Sequence, residues 1–242
     1  MIMRKRITIL LCLLAPITVL SQTVINRTYP VKAGQQLLLK FDYPVLKIST
    51  WDKNEVSITA RVSINDGNND DAFVLKAETE DGTLKISDQI KDMDKLPHHY
   101  TIRQDGKKIV FKTKADFDAY KSKTGNIGSY SNGIDLDIKL EIKVPANTST
   151  EIKAIYGLVE LTNYYAPVNV DATYGGIDAT LNTARAGQIK ATTNYGRIYS
   201  NLELNLTDKA QKDFLTSITA EPGKGPAYIL KSTYGKIYLR KP

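Results

Sequence analysis

The sequence has very little of the chemistry that most catalytic and metal sites need. Among its 242 residues there is one cysteine, Cys12, and there are two histidines, His98 and His99, which are adjacent. Because Cys12 lies in the N-terminal apolar stretch, the rest of the chain has no disulfide, no thiolate metal site and no cysteine nucleophile. Catalytic triads and most zinc sites need imidazoles that converge from different segments. We therefore expect no cofactor, no metal and no catalytic residue of these kinds.

A strong excess of one charge is also lacking. The chain has 33 Lys and Arg against 26 Asp and Glu, a formal charge of +7. Three of the basic residues, Arg4, Lys5 and Arg6, belong to the N-terminal stretch. The remaining balance is too mild to indicate a nucleic-acid partner. A composition of 42% hydrophobic and 24% charged residues is typical of a globular protein.

Residues 1–21 have the pattern of a secretory signal peptide, with a basic start, an apolar run and the small residue Ser21 before the expected cleavage site. The apolar run over 7–20 would span about 21 Å as a helix, which is short for a hydrocarbon core of about 30 Å. We expect a mature chain without a stable membrane span. Its predicted location is the periplasm, the outer cell surface or the extracellular space.

Most of the remaining chain alternates apolar and polar residues with a period of two, as strands with one buried face do. The clearest runs are 46–51, 56–64, 73–78, 83–87, 108–114 and 134–144. Turn-forming residues at 52–54, 66–67, 81–82 and 105–106 separate the earlier runs. These features predict an antiparallel, hairpin-rich portion over 22–145. A second portion, 146–242, continues it within one domain over 22–242.

The second portion contains a repeat of strand, Tyr-Gly pair and strand. The four pairs are Tyr156-Gly157, Tyr174-Gly175, Tyr195-Gly196 and Tyr234-Gly235. We predict that each pair is a structural corner and that glycine is needed there for a left-handed backbone. The interval between the last two pairs is about two periods, so residues 216–223 are predicted to form a degenerate turn of the same stack.

Alignment on the Tyr-Gly pairs predicts which positions are buried. The third residue after each tyrosine is Val159, Ile177, Ile198 or Ile237, and the fifth is Leu161, Ala179, Ser200 or Leu239. If equivalent residues stack about 4.8 Å apart, these positions form apolar columns. The pattern therefore predicts an all-β protein with a β-solenoid in its C-terminal half and a ladder of stacked tyrosines. The ladder can be structural, or its rings can contact a ligand.

Three segments resemble a family of exported bacterial proteins called putative adhesins, which is related to the head domains of auto-transporter-like adhesins. The segments are LKISTWDKNEVSITA at 46–60, LEIKVPANTSTEIKAIYGLVEL at 140–161 and STYGKIYLRK at 232–241. The resemblance implies a right-handed β-helix-like solenoid with an antiparallel N-terminal portion. It brings no catalytic residues. It implies a protein that binds a surface glycan or an envelope protein.

Several residues are candidate ligand contacts on this fold. Outward tyrosines with neighbouring basic residues would suit sugar rings: Tyr199, Tyr238, Arg197 and Lys236. Tyr130 lies in the Gly-, Ser- and Asn-rich segment 120–133, which is predicted to be an irregular loop. The oxygen-rich segment 65–72 is predicted to be a polar hairpin tip, and the two histidines are predicted to lie on the surface.

The function expected from the sequence is non-enzymatic adhesion or envelope architecture. Two alternatives remain open. One is a polysaccharide lyase or hydrolase, for which Glu160 and Asp178 are an outward acidic pair on consecutive turns. The other is a periplasmic sensor or assembly accessory protein, for which the sequence offers no distinguishing motif.

Overall fold

The computed structural model describes residues 22–104, 106–125 and 127–242. Within these residues the chain is all-β, with twenty strands, one α-helix and three single-turn 3-10 helices. The signal peptide predicted over 1–21, with Cys12, lies outside the described residues. No helix in the described part of the chain is both long enough and apolar enough to cross a bilayer.

The strands are numbered in chain order. Their bounds are β1 Thr23–Pro30, β2 Gln36–Phe41, β3 Val45–Trp51, β4 Glu55–Ile64, β5 Phe73–Glu80, β6 Thr83–Ile90, β7 His99–Gln104, β8 Lys107–Phe111, β9 Tyr130–Gly133, β10 Leu136–Pro145, β11 Thr150–Ala154, β12 Val159–Leu161, β13 Val168–Ala172, β14 Ile177–Thr180, β15 Gln188–Thr193, β16 Ile198–Ser200, β17 Leu206–Lys212, β18 Leu215–Ala220, β19 Ala227–Ser232 and β20 Ile237–Arg240. Helix α1 spans Lys114–Thr124.

These strands form two large sheets and one small sheet. The first sheet has the order β1-β4-β10-β3-β12-β14-β20-β16, and the second has the order β17-β18-β15-β19-β13-β11-β2-β6-β5. Buried apolar residues from both sheets form one continuous core cluster. The third sheet, β8-β7-β9, shares a separate small core with α1 that is centred on Ile102, Phe117 and Ile127.

Five segments each place one strand in the second sheet and the next strand in the first sheet. We call each segment a layer, and in chain order the layers are β2/β3, β11/β12, β13/β14, β15/β16 and β19/β20. Strands of adjacent layers are parallel and in register: Val159, Ile177 and Ile237 are successive partners, and all three are fully buried. Most of the predicted inward positions are buried in this way. Ser200 is exposed because β16 forms the edge of the first sheet.

The layers do not stack in chain order. Strand β19 lies between β13 and β15, and β20 lies between β14 and β16. The fifth layer is therefore inserted between the third and the fourth. The prediction of a degenerate turn over 216–223 is wrong, because β18 pairs antiparallel with β15 and β17. A two-residue turn at Asp213 and Phe214 joins β17 to β18, so this segment folds as a local hairpin.

The N-terminal portion has fewer hairpins than predicted. Strands β5 and β6 pair directly, as do β7 and β8. However, β10 separates β3 from β4, and β4 and β5 lie in different sheets. Strands β2 and β3 pair in parallel with β11 and β12 and form the first layer of the stack. Two of the four predicted hairpins are therefore absent, and their strands pair with strands that are distant in the sequence.

Three local predictions in this portion are also corrected. Helix α1 was not predicted; the Thr113 hydroxyl accepts a hydrogen bond from the Asp116 N–H and caps its start. Segment 120–133 is therefore not one irregular loop, since it begins in α1 and ends in β9. His99 is only 4% exposed, because it points inward at the start of β7. The segment 65–72 is no free polar tip, since Asn65 and Asp70 are buried.

Candidate functional site

The corner tyrosines of the five layers form one continuous row of rings, which we call the aromatic ridge. In spatial order its rings are those of Tyr43, Tyr156, Tyr174, Tyr234, Tyr195 and Phe214. Neighbouring centroids are 5.0–5.4 Å apart, and the tyrosine planes lie within 14° of each other. Each inner ring thus has a neighbour on both faces, and the ridge presents mainly ring edges and hydroxyl groups to solvent.

Two members of the ridge were missed in the sequence. Tyr43 lies between two strand-like runs, as the other tyrosines do, but Pro44 follows it where the others have glycine. Phe214 belongs to the turn between β17 and β18, and its ring lies 5.2 Å from that of Tyr195. No local sequence pattern indicates this contact, because Phe214 lies in a hairpin turn and not at the corner of a layer.

The glycine after each predicted tyrosine is required, but for a different reason from the one expected. None of Gly157, Gly175, Gly196 and Gly235 has a positive φ. A Cβ on any of these four residues would lie 1.7–2.1 Å from a backbone carbonyl oxygen of the adjacent layer. Real Cβ atoms do not come this close. Glycine is therefore needed because the backbones of adjacent corners touch.

Buried hydroxyl groups add a second link between three of the layers. The Ser232 hydroxyl donates to the Gly175 carbonyl at 3.0 Å and accepts from the Gly235 N–H at 2.9 Å. Thr193 forms the same bridge, donating to the Gly235 carbonyl at 3.1 Å. The second and third layers have alanine at the equivalent position. The bridges thus occur on both sides of the inserted fifth layer.

The first layer ends the row of corners and tolerates Pro44 for that reason. Its strands adjoin β6 and β10, neither of which supplies another tyrosine corner. Asp88 on β6 accepts a hydrogen bond from the Asp42 N–H at 3.1 Å, while its Oδ2 is buried without a hydrogen-bond partner among the described residues. Burial raises the pKa of Asp88 to about 6. An acid that titrates well above its ordinary range therefore lies beside the end of the ridge.

A second aromatic feature lies on the outer face of the first sheet. Tyr199 on β16 and Tyr238 on β20 are partners in register, and their rings stack at 5.1 Å and 14°. Arg197 and Lys236 each come two residues before one of these tyrosines, immediately before β16 and β20 begin, and the Ile237 N–H donates to the Arg197 carbonyl at 2.9 Å. Both are exposed, and neither forms an ion pair within the described part of the chain. The structure thus brings four of the five predicted contact residues together.

Arg240 belongs to the same surface, although it was not predicted. Its guanidinium group lies 4.9 Å above the ring of Tyr238, and its Nε donates to Asp178 Oδ1 at 2.7 Å. A groove of about 320 Å³ is lined by Tyr199, Tyr238, Arg240 and their neighbours on β16 and β20. The alternation of Lys236, Tyr238 and Arg240 along β20 is the sequence signal that could have identified it. We call Arg197, Tyr199, Lys236, Tyr238 and Arg240 the tyrosine patch.

The fifth predicted contact residue lies elsewhere. Tyr130 is 51% exposed on β9 of the third sheet. Its ring packs 4.7 Å from that of Phe117 and 6.5 Å from that of Tyr100. Tyr130 therefore contacts aromatic residues at the surface of the third sheet and α1, and the structure does not place it in the tyrosine patch.

The acidic pair considered for glycoside chemistry is adjacent, as predicted. Glu160 and Asp178 are partners on β12 and β14. The Asp178 carboxylate is engaged by Arg240. Among the described residues, no three His, Cys, Asp or Glu side chains converge in a way that could hold a metal ion.

No protein-family model and no curated protein matches the chain. The solved structures that match the chain include one described as a putative cell adhesion protein from Clostridium sporogenes. It is 11% identical, covers 92% of this chain and 100% of its own, and has a TM-score of 0.47. A putative adhesin from Bacteroides fragilis is 12% identical over 92% of this chain and 98% of its own, with a TM-score of 0.23. A putative adhesin from Parabacteroides distasonis is 10% identical over 91% and 98%, with a TM-score of 0.29.

Proposed function

We propose that the protein is a non-enzymatic, exported protein of the cell envelope or cell surface that binds an acidic carbohydrate through the tyrosine patch. The observation that carries this proposal is the position of Arg197 and Lys236, which immediately precede the paired strands β16 and β20, lie near two stacked tyrosines and have no ion pair among the described residues. In this proposal the five layers form a short right-handed β-solenoid that holds the patch rigidly.

The aromatic part of the patch suits a sugar better than the ridge does. Inner rings of the ridge have a neighbouring ring on each face. Among the described residues the ring of Tyr199 stacks against that of Tyr238 alone, and Tyr199 lies on the last strand of the first sheet. Its other face adjoins the free edge and the side chain is 40% exposed. A pyranose ring presents apolar C–H groups that pack on such an open ring face.

The charges of the patch favour an acidic sugar over a neutral one. Arg240 is already engaged by Asp178, so its charge is largely balanced. Arg197 and Lys236 supply two further cations, each at the position just before one of the paired strands β16 and β20. Guanidinium and ammonium groups bind carboxylate and sulfate oxygens by charge-assisted hydrogen bonds, each contributing roughly 1.5–3 kcal/mol when well formed. Uronic acid and sulfated sugars supply such oxygens.

The test is binding of the purified chain 22–242 to an array of acidic and neutral glycans, followed by titration of the best ligand. The double variant Arg197→Gln, Lys236→Gln removes two positive charges from the patch, and we expect it to weaken binding by about tenfold or more. Tyr199→Ala should weaken binding while leaving both charges in place.

The matched control is the double variant Lys40→Gln, Lys190→Gln. Both lysines are exposed on the second sheet, so this variant loses the same net charge on another face. The control should bind within about twofold of the unaltered chain. Equal losses in the two double variants would reduce the effect to overall charge, and the absence of any acidic glycan ligand would also overturn the proposal.

A further inference from the structure

The last segment of the chain lies inside the stack and not at its end. The fifth layer comes after every other element in sequence, yet β19 is bonded to β13 on one side and to β15 on the other. In the first sheet β20 has the same position between β14 and β16. The fifth layer therefore fills a gap between two layers that are not bonded to each other. This arrangement does not depend on the proposed ligand.

A short linker carries the chain into this gap. Ala220, at the end of β18, pairs with Ile189 on one side of β15, and Ala227, at the start of β19, pairs with Gln188 on the other side. The linker, residues 221–226, must therefore cross two strand spacings, about 10 Å, around the start of β15. It does so in close backbone contact, since a Cβ on Gly225 would lie 2.0 Å from the Arg185 carbonyl oxygen.

The main contacts that hold the fifth layer in the gap are made by residues outside the linker. The fifth layer is held by strand pairing on both edges, by the ring of Tyr234 between those of Tyr174 and Tyr195, and by the Ser232 bridge. A second copy of the same segment would form every one of these contacts. If the segment withdraws, β13, β14, β15 and β16 all expose unpaired edges, and such edges recruit a matching strand.

We propose that residues 227–242 are an exchangeable donor segment that can fill the same gap in a second copy of this chain. The exchange forms no new kind of contact and needs only the opening of the linker, as in other domain swaps. In the exchanged dimer the tyrosine patch is built from two chains. One copy supplies Arg197 and Tyr199, and its partner supplies Lys236, Tyr238 and Arg240.

The direct test uses the unaltered chain 22–242 and a labelled synthetic peptide of residues 224–242. The two are mixed with excess peptide at a denaturant concentration where unfolding begins, the denaturant is diluted, and label that elutes with the protein is measured. The matched control is the same peptide with Gly235→Val, because a Cβ at this position would lie 2.1 Å from the Gly175 carbonyl oxygen. We expect the native peptide to be retained at least about tenfold better than the control.

A second measurement uses a variant of the chain 22–242 from which residues 222–225 are deleted. The two remaining linker residues give three Cα steps, about 11 Å when fully extended, which leaves no length to pass around β15. We expect this variant to form a dimer of native strand content, seen by light scattering. A folded monomer would show that the gap is filled without crossing and would overturn the proposal. If the deletion does not fold, the peptide measurement decides: equal retention of both peptides, or of neither, refutes the exchange.

Discussion

The touching corners make a strong prediction for Gly175→Ala. An added Cβ would lie 1.8 Å from the Gly157 carbonyl oxygen, and its other close neighbours are also backbone atoms. A tolerable separation of about 3.2 Å requires the second and third layers to move apart by about 1.4 Å. The hydrogen bonds from Thr173 N–H to the Ala154 carbonyl and from Tyr174 N–H to the Ile155 carbonyl, now 2.9 and 2.7 Å, would then exceed about 4 Å and break.

The magnitude follows from these losses. The two hydrogen bonds contribute about 1 kcal/mol each, and the stacked pair of Tyr156 and Tyr174 about 0.5–1.5 kcal/mol. We therefore expect Gly175→Ala to lower the free energy of unfolding by about 3 kcal/mol, which corresponds to a fall in Tm of roughly 6–12 °C for a chain of this size. Urea unfolding followed by circular dichroism and a thermal scan measure both quantities.

The control for this substitution is Gly133→Ala on β9. A Cβ there has no atom within 4 Å, and the residue has no positive φ. Replacing such a glycine by alanine usually stabilises by about 0.4–1 kcal/mol through the unfolded chain, so the two variants should differ in sign. If Gly175→Ala unfolds within about 0.5 kcal/mol of the unaltered chain, the corners do not touch and the explanation for the four glycines is refuted.

Two further predictions concern buried polar groups. Ser232→Ala leaves the Gly175 carbonyl and the Gly235 N–H without their bridge, so the free energy of unfolding measured in urea should fall by about 2 kcal/mol. Ser232→Thr keeps the hydroxyl group and should lose little of this free energy. An unchanged urea midpoint for Ser232→Ala would contradict the bridge. Because the folded-state pKa of Asp88 is raised to about 6, the folded chain binds the proton more tightly than the unfolded chain, and stability falls as pH rises from about 4 to 6. Asp88→Asn should therefore raise the free energy of unfolding at pH 7.5 by up to about 3 kcal/mol and change it little at pH 4. The control is Asp71→Asn at an exposed position, whose effect on the free energy of unfolding should be the same at the two pH values.

The sequence predicts the layers well but not their order. Equivalent inward positions such as Val159, Ile177 and Ile237 are apolar in each layer, and this similarity makes the register visible. The same similarity makes the layers interchangeable, since the residues of one would pair with those of any other. The first layer lacks the Tyr-Gly signal in the sequence. Glycine is not required at its corner because no further corner packs beyond it, so Pro44 is tolerated there.

In the candidate site, too, some residues can be placed from the sequence and others cannot. Tyr199 and Tyr238 are adjacent as predicted, because equivalent positions of adjacent layers must meet. Tyr130 could not be placed, because the pairing of β9 with β7 joins residues about thirty apart and depends on a helix that has no clear amphipathic pattern. The burial of His99 has no sequence signal, because two adjacent histidines do not indicate which of them lies on the buried face of the strand.

The order of the layers nevertheless has a physical origin in the segment that follows the fourth layer. Strands β17 and β18 form a hairpin immediately after β16, and β18 occupies the outer edge of β15. The fifth layer then finds no free edge beyond the fourth in the second sheet. Its remaining position is between the third and fourth layers, where Ser232 and Thr193 provide bridges that the alanines of the second and third layers do not. The hairpin thus converts a set of similar layers into one defined order, in which the fifth layer lies between the third and the fourth.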